Sequence, residues 1–369
     1  MSKTQSLEEK LQLKLALRKQ NNSLRVLHDK SSLIDFCSND YLGFSQTLNV
    51  KPSTLSGATG SRLISGNSSQ FEQLESKIAN FHQSETALIC NSGYDANIGL
   101  FSCIAHKGDT IIYDQYIHAS IRDGIRLSKA RSFSFEHNSL SSLQKKLEQA
   151  SGSIIVAIES IYSMDGDCAP LEEIITLCEQ YKAHIILDEA HAMGVLGEKG
   201  EGLAQSLQLQ DKLFARVQTF GKAMGCHGAA ILGSETLKNY LINYSRSFIY
   251  STALAAHSLN SINAAYTKLT SDDDISNLHK NISQFKSLLS DTLKSKWIES
   301  ESPIQCFLIP GVDEAKRVEA GLQVKGLNSR AILHPTVEEG KERIRICIHS
   351  FNSAQEIKLC IDSLEELIK

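Results

Sequence analysis

Short apolar runs alternating with helical periods constrain this chain more than any other feature. Ala87-Leu88-Ile89-Cys90-Asn91, Asp109–Tyr113, Ile154–Ile158, His184-Ile185-Ile186-Leu187, Phe214–Val217 and Ala229-Ala230-Ile231-Leu232 read as strands. Between them lie helical patterns, such as the one over 69–82, where Ser69 stands three residues before Glu72. Strands apolar at nearly every position are buried on both faces. The pattern therefore predicts an α/β fold with a mixed, mainly parallel central sheet flanked by helices. In such sheets ligands bind at the carboxyl ends of the strands.

Polar residues collect at those ends. Ser92, Glu159, Asp188, His191, Thr219 and Lys222 each lie just past a predicted strand. Lys222 sits in Thr219-Phe220-Gly221-Lys222-Ala223-Met224-Gly225, where glycines permit a sharp turn and close approach of another molecule. Alone, that heptapeptide more often marks a solvated loop lysine. A lone carboxylate after a strand is often a helix cap. Six such residues, the lysine among them, are hard to read as six caps. The chemistry that needs them is a Schiff base with an electron-sink cofactor. It takes a lysine amine, a carboxylate for a pyridine nitrogen, a helix start for a phosphate and an imidazole for the ring. The Ser92-Gly93-Tyr94 turn into a helix suits the phosphate, although a plain βα connection has the same shape.

Composition narrows the partners. With 38 basic and 42 acidic residues the formal charge is −4, so no basic surplus favours nucleic acid or an anionic membrane. No apolar run approaches membrane-spanning length, and MSKTQSLEEK lacks a secretory apolar core. Nine scattered cysteines, without a C-x-x-C pair, favour reduced thiols in a cytoplasmic protein over disulfides or a metal site. Neither G-x-x-x-x-G-K-[ST] nor G-x-G-x-x-G follows a strand, which leaves a nucleotide-binding reading without support.

Outside the centre, residues 6–28 read as an amphipathic helix with Leu7, Leu11 and Leu15 recurring. Gly57–Gly66 is a glycine- and serine-rich loop, either a ligand wrap or a connector. From 256 onward, helices (Ala256–Leu269, Leu278–Lys294) precede strands (Gln305–Ile309, Ala331–Leu333, Arg343–Ile348) and a terminal helix, Ala354–Ile368.

Seven stretches together carry a resemblance: SNDYLG at 38–43, GSRLISGN at 60–67, NSGYDAN at 91–97, ESIYSMDGD at 159–167, DEAHAMGVLGEKGEG at 188–202, TFGKAMG at 219–225 and YST at 250–252. From about Asp35 to the C-terminus the chain resembles the α-oxoamine synthases. These are pyridoxal 5'-phosphate (PLP) enzymes of the aspartate aminotransferase-like fold type I. The resemblance implies an N-terminal segment (1–45) joining the small domain, a large PLP-binding domain (46–255) and a small α+β domain (256–369). It implies Lys222 as the cofactor lysine, Asp188 on the pyridine nitrogen, His191 and Ser163 on the phenolic oxygen and His118 stacked on the ring. It implies Ser92, Gly93, Tyr94 and Thr219 around the phosphate, with Ser251 and Thr252 of the partner subunit. Glu159 and Asn39 would shape the pocket. Arg345 would grip the amino acid carboxylate, and Arg25 and Thr336 would meet substrate.

The implied reaction is a decarboxylating condensation of an L-amino acid with an acyl thioester in a homodimer whose site lies at the subunit interface. The matched stretches are most like those of the branch that joins L-alanine to a pimeloyl thioester, on CoA or on an acyl carrier protein. Branches using glycine with an acetyl group, or serine with a palmitoyl group, share most of them. A non-catalytic PLP-binding protein is the reading from a different class. One departure concerns Gly43–Gly57, about ten residues shorter than the family pattern, with Pro52 and little helical periodicity.

Overall fold

The computed structural model describes residues 5–27, 29, 32–53, 55–270 and 273–368. Its centre is a seven-stranded sheet. The strands are β2 (Thr86–Cys90), β3 (Thr110–Asp114), β4 (Arg131–Phe135), β5 (Ile154–Glu159), β6 (His184–Asp188), β7 (Ala215–Thr219) and β8 (Ala229–Gly233). Their order is β2-β8-β7-β6-β5-β3-β4. β4, β3, β5, β6 and β7 run parallel, and β8 is antiparallel to both its neighbours. The sheet is thus mixed and mainly parallel, as the apolar runs predict. Central strands such as β5 (IIVAIE) and β6 (HIILD) are buried along almost their whole length. Helices such as Gly93–Cys103 and Leu171–Gln180 cover its two faces, each packed on its own apolar cluster.

A second sheet holds β9 (Trp297–Ile298), β10 (Ile304–Leu308), β12 (Arg330–Ile332) and β13 (Arg343–Cys347), in the order β12-β13-β10-β9 and antiparallel throughout. In the N-terminal segment β1 (Ile34–Asp35) pairs in parallel with β11 (Leu327–Asn328) as a separate two-stranded sheet, and the next residue, Phe36, accepts the Cys347 N–H of β13 at 2.8 Å.

Some expectations need correction. The first helix runs only Leu7–Gln20, because Asn21 caps it and Asn22 adopts positive φ. It buries no residue, and Leu7, Leu11 and Leu15 are exposed, so no amphipathic packing is seen within one chain. His28, at the end of the expected helix, lies outside the described residues, as do residues 1–4. The helix expected over Leu278–Lys294 is two, Asp274–Ser287 and Asp291–Lys294, with Ser290 capping the second. In the short 44–56 region only Phe44–Thr47 is helical; Thr54 is outside the described residues.

Candidate active site

The register of β2, β8 and β7 explains where Lys222 goes. Cys90 pairs with Ala229, and Ala229 pairs with Thr219. The loop joining antiparallel β7 and β8 therefore emerges beside the turn after β2, at the carboxyl end of the parallel strands. Lys222 sits in that loop. It is closed by Phe220 N–H donating to Gly228 O (2.9 Å) and Cys226 N–H to Phe220 O (2.7 Å). Gly225 has φ +59°, and a Cβ there would lie 2.1 Å from Ser45 N, so the lysine loop packs directly on the segment after SNDYLG.

Around Lys222 the strand ends converge. Glu159 and Asp188 are directly paired last residues of β5 and β6, both buried. The Asp188 carboxylate accepts Asn97 Nδ2 at 2.7 Å and the Ala190 N–H at 2.9 Å. Burial and the neighbouring Asp188 push Glu159 up to about 8, with Lys222 opposing. Burial also lowers Lys222 to about 8, against the pull of Asp188 and Glu159. His118 caps the helix Ala119–Leu127. Its Nδ1 lies 2.8 Å from Ser120 Oγ, and its backbone N–H donates to the Glu159 carboxylate. Burial, with Lys222 nearby, keeps its ring pKa down.

His191 is buried too, and burial with the charges of Lys222 and Arg345 holds its pKa well down. The Tyr41 hydroxyl lies 2.8 Å from His191 Nδ1, and burial keeps that phenol protonated. The same hydroxyl lies 3.2 Å from Asn39 Oδ1, so Tyr41 sits between His191 and Asn39. Tyr41 belongs to SNDYLG; its contact with His191 was not anticipated, and two residues 150 apart carry no local signal for it.

Arg345 points from β13 of the small sheet into this group. Its Nε donates to Ser163 O (2.8 Å) and its Nη2 to Asn39 Oδ1 (3.0 Å). Ser92 caps the helix Gly93–Cys103 by accepting the Asp95 N–H, leaving first-turn N–H groups aimed outward. A Cβ on Gly93 would come within 3.3 Å of Thr219 Oγ1, so the helix start and the threonine face each other closely. The exposed Tyr94 donates its hydroxyl to Asp123, with its ring 6.3 Å from that of His118.

A cavity of about 570 Å³ joins His118 and Ser163 to Arg25 and Thr336, whose Nη2 and Oγ1 lie 3.4 Å apart. Ser251 and Thr252 line a separate small pocket with Asn91 and Asp95. Among the described residues, no group of three or more His, Cys, Asp or Glu could hold a metal ion. No described helix is long and apolar enough to cross a membrane.

A lysine loop, a buried strand-end carboxylate, a helix N-terminus and a neutral histidine around one end of a mixed sheet define a PLP-dependent enzyme of fold type I. The aminotransferase class I and II family matches residues 31–364. The chain is similar to the 8-amino-7-oxononanoate synthase of Emericella nidulans, 38% identical over 95% of this chain and 94% of that one. It is similar to that of Lysinibacillus sphaericus, 36% identical over 98% and 95%. Among solved structures it superposes on 8-amino-7-oxononanoate synthase from Francisella tularensis with TM-score 0.79 and 29% identity, covering 91% of this chain and 98% of that one. It superposes on Sphingomonas wittichii serine palmitoyltransferase with TM-score 0.87 and 24% identity over 98% of both, a likeness of fold.

This chain belongs to the α-oxoamine synthase family of PLP-dependent acyltransferases, and its cofactor is pyridoxal 5'-phosphate. The residues fit that group. The buried Asp188 can face a protonated ring nitrogen, the amine of Lys222 is partly neutral near pH 8, and the Gly93 turn admits a phosphate where a side chain would crowd Thr219.

Proposed function

We propose that this chain joins L-alanine to a pimeloyl thioester, releasing CO2 and the free thiol and giving 8-amino-7-oxononanoate, a step of biotin synthesis. The observation that carries this reading is the 36–38% identity, over nearly full length, to relatives named for that reaction. The rival within the family is a glycine C-acetyltransferase or serine palmitoyltransferase specificity. The chain acts as a homodimer, a reading supported by the exposed leucines of the first helix, which a second copy can cover.

Lys222 holds the cofactor and afterwards moves the proton at the substrate Cα. The bound PLP supplies an electron sink for the carbanion formed there. Asp188 keeps the pyridine nitrogen protonated, because a carboxylate favours the neighbouring positive charge. His191 and Ser163 bond the phenolic oxygen, and His118 lies on the ring face, its ring beside Ser120 Oγ and its backbone N–H on Glu159. Ser92, Gly93, Tyr94 and Thr219 bind the phosphate, with Ser251 and Thr252 of the partner subunit. Arg345, already fixed by Ser163 and Asn39, takes the amino acid carboxylate. The cavity bearing Arg25 and Thr336 admits the acyl chain.

The test is thiol release by purified, PLP-loaded protein. Pimeloyl-CoA is offered with L-alanine, glycine or L-serine, with acetyl-CoA and palmitoyl-CoA as donor controls. Release with alanine and pimeloyl-CoA alone is the expected result. Release with glycine and acetyl-CoA, or serine and palmitoyl-CoA, assigns the chain to those branches. No release from any pair, with PLP bound, directs the test to a pimeloyl carrier protein and then to the non-catalytic reading.

A pH dependence follows from Lys222. Its neutral amine is the nucleophile, and the neutral fraction grows as pH rises through about 8. Capture of added PLP by cofactor-free protein is expected to slow about tenfold for each pH unit below that value. Stopped-flow growth of the bound-cofactor absorbance checks this; a rate independent of pH between 6 and 8 contradicts it.

A further inference from the structure

We propose that His137 is a positioning residue that fastens the 160–169 hairpin to the large sheet and so fixes one wall of the thioester cavity. This rests on the reading that a thioester enters through that cavity.

The hairpin closes on itself through the Ile161–Cys168 bridge, with Tyr162 N–H donating to Asp167 O (3.0 Å) and Gly166 N–H to Tyr162 O (2.8 Å). Its tip carries Ser163, Met164 and Asp165, all lining the cavity with Tyr116, His118 and Tyr162. The small sheet grips the tip from one side. Arg343 donates to Met164 O and Asp165, Arg345 donates to Ser163 O, and Ser300 Oγ donates to Gly166 O at 2.9 Å.

From the large sheet the grip is His137, just past β4. Its Nδ1 donates to Asp114, the last residue of β3, at 3.0 Å, and its Nε2 donates to Asp167 in the hairpin at 2.7 Å. Asn138 adds bonds to Asp167 (2.8 Å) and Cys168 O (3.1 Å). The ring is flanked by two cavity-lining aromatics. Tyr116 stacks on it at 4.5 Å and Tyr162 meets it edge-on at 4.4 Å. Both ring nitrogens donate at once, which requires the imidazolium. Burial opposes that charge, but the bonds to Asp114 and Asp167 outweigh it and push the ring up to about 10. No step of the proposed chemistry uses His137. Its connections all run from the sheet to the hairpin and to the two tyrosines.

The test compares the parent with His137→Gln and Asp167→Ala. Gln cannot donate to both carboxylates from a fixed ring, and Ala removes the hairpin's acceptor. Both are expected to raise KM for pimeloyl-CoA at least about tenfold, because a small displacement of a binding wall is costly. L-Alanine binding, read from the cofactor absorbance without thioester, is expected to weaken by less than the KM for pimeloyl-CoA rises, because the hairpin meets Arg345 only through Ser163 to Asp165 while Arg345 keeps its bond to Asn39. A KM for pimeloyl-CoA equal to the parent's, or an equal loss of alanine binding, overturns the proposal. Hydrogen–deuterium exchange of the 160–169 peptide supplies a readout without substrate. Exchange is expected to quicken at least about tenfold in either variant, and unchanged exchange overturns the fastening itself. Should His137→Gln fail to fold, Asp167→Ala carries the test, since that side chain is 26% exposed. If the parent consumes no thioester, the proposed function fails while the exchange result still decides the role of His137.

Discussion

Replacing Lys222 with alanine is expected to lower turnover by about four orders of magnitude or more and to abolish the absorbance of covalently held cofactor. The side chain is asked to do two things. In the proposed function it holds PLP and carries a proton to and from the substrate Cα; general acid–base catalysis alone accounts for about 10²–10⁴. Ala223 and Met224 beside it are fully buried, and the loop bonds Phe220–Gly228 and Cys226–Phe220 are made by backbone. Removing the Lys222 side chain therefore leaves the loop intact, and the loss is chemical. Steady-state thiol release and a visible spectrum of the dialysed protein measure both effects. A yellow variant with parental turnover contradicts the assignment of Lys222.

Asp188→Asn is expected to retain PLP and to lose about 10²–10³ in turnover, the size of effect seen when one preorganised electrostatic partner of a developing charge is removed. Asn97 Nδ2 donates both to Asp188 and to Ser120 Oγ (3.1 Å), and Ala190 N–H donates to the other Asp188 oxygen. An amide at 188 keeps an acceptor for only one of these two donors, so stability is measured beside turnover to separate the missing charge from the lost hydrogen bond. Turnover alongside a thermal melt measures both; a folded variant within about threefold of the parent means Asp188 does not serve the ring nitrogen.

The sequence announces what local periodicity can announce. β5 and β6 were legible because β-branched and apolar residues run unbroken to a carboxylate. His118 was legible as a helix start, and the terminal helix Ala354–Ile368 has the expected bounds. β4 (RSFSF) was not anticipated: it is an edge strand, mostly exposed, whose serines and arginine give no apolar run. The helix Val312–Val324 was also missed, although its acidic first turn favours a helix start; its internal Gly321 weakens the pattern. Site residues at strand ends were legible because topology sends such residues to one place. The links between them were not. Tyr41 on His191, Arg345 on Ser163 and Asn39, and His137 between two carboxylates all join residues far apart in sequence. Such contacts are decided by tertiary packing, which no window of residues contains.

One apolar cluster runs from Phe36, Tyr41 and Phe44 through Phe71, Ile89, Phe220 and Met224 to Tyr266, Phe285, Phe307, Ile344 and Leu364. It takes side chains from the lysine loop, from one end of the large sheet and from the small sheet alike. A close-packed interior transmits strain and does not stretch. The two sheets therefore have no greased seam along which one can swing away from the other. Rotation of the small sheet by a wide angle would open a void in the middle of the cluster. Access to Lys222 is left to short segments at the rim, and the spacing between Arg345 and Lys222 is built in when the chain folds. Such a molecule keeps a fixed distance between its two sheets and reserves its adaptability for the mouth of the cavity.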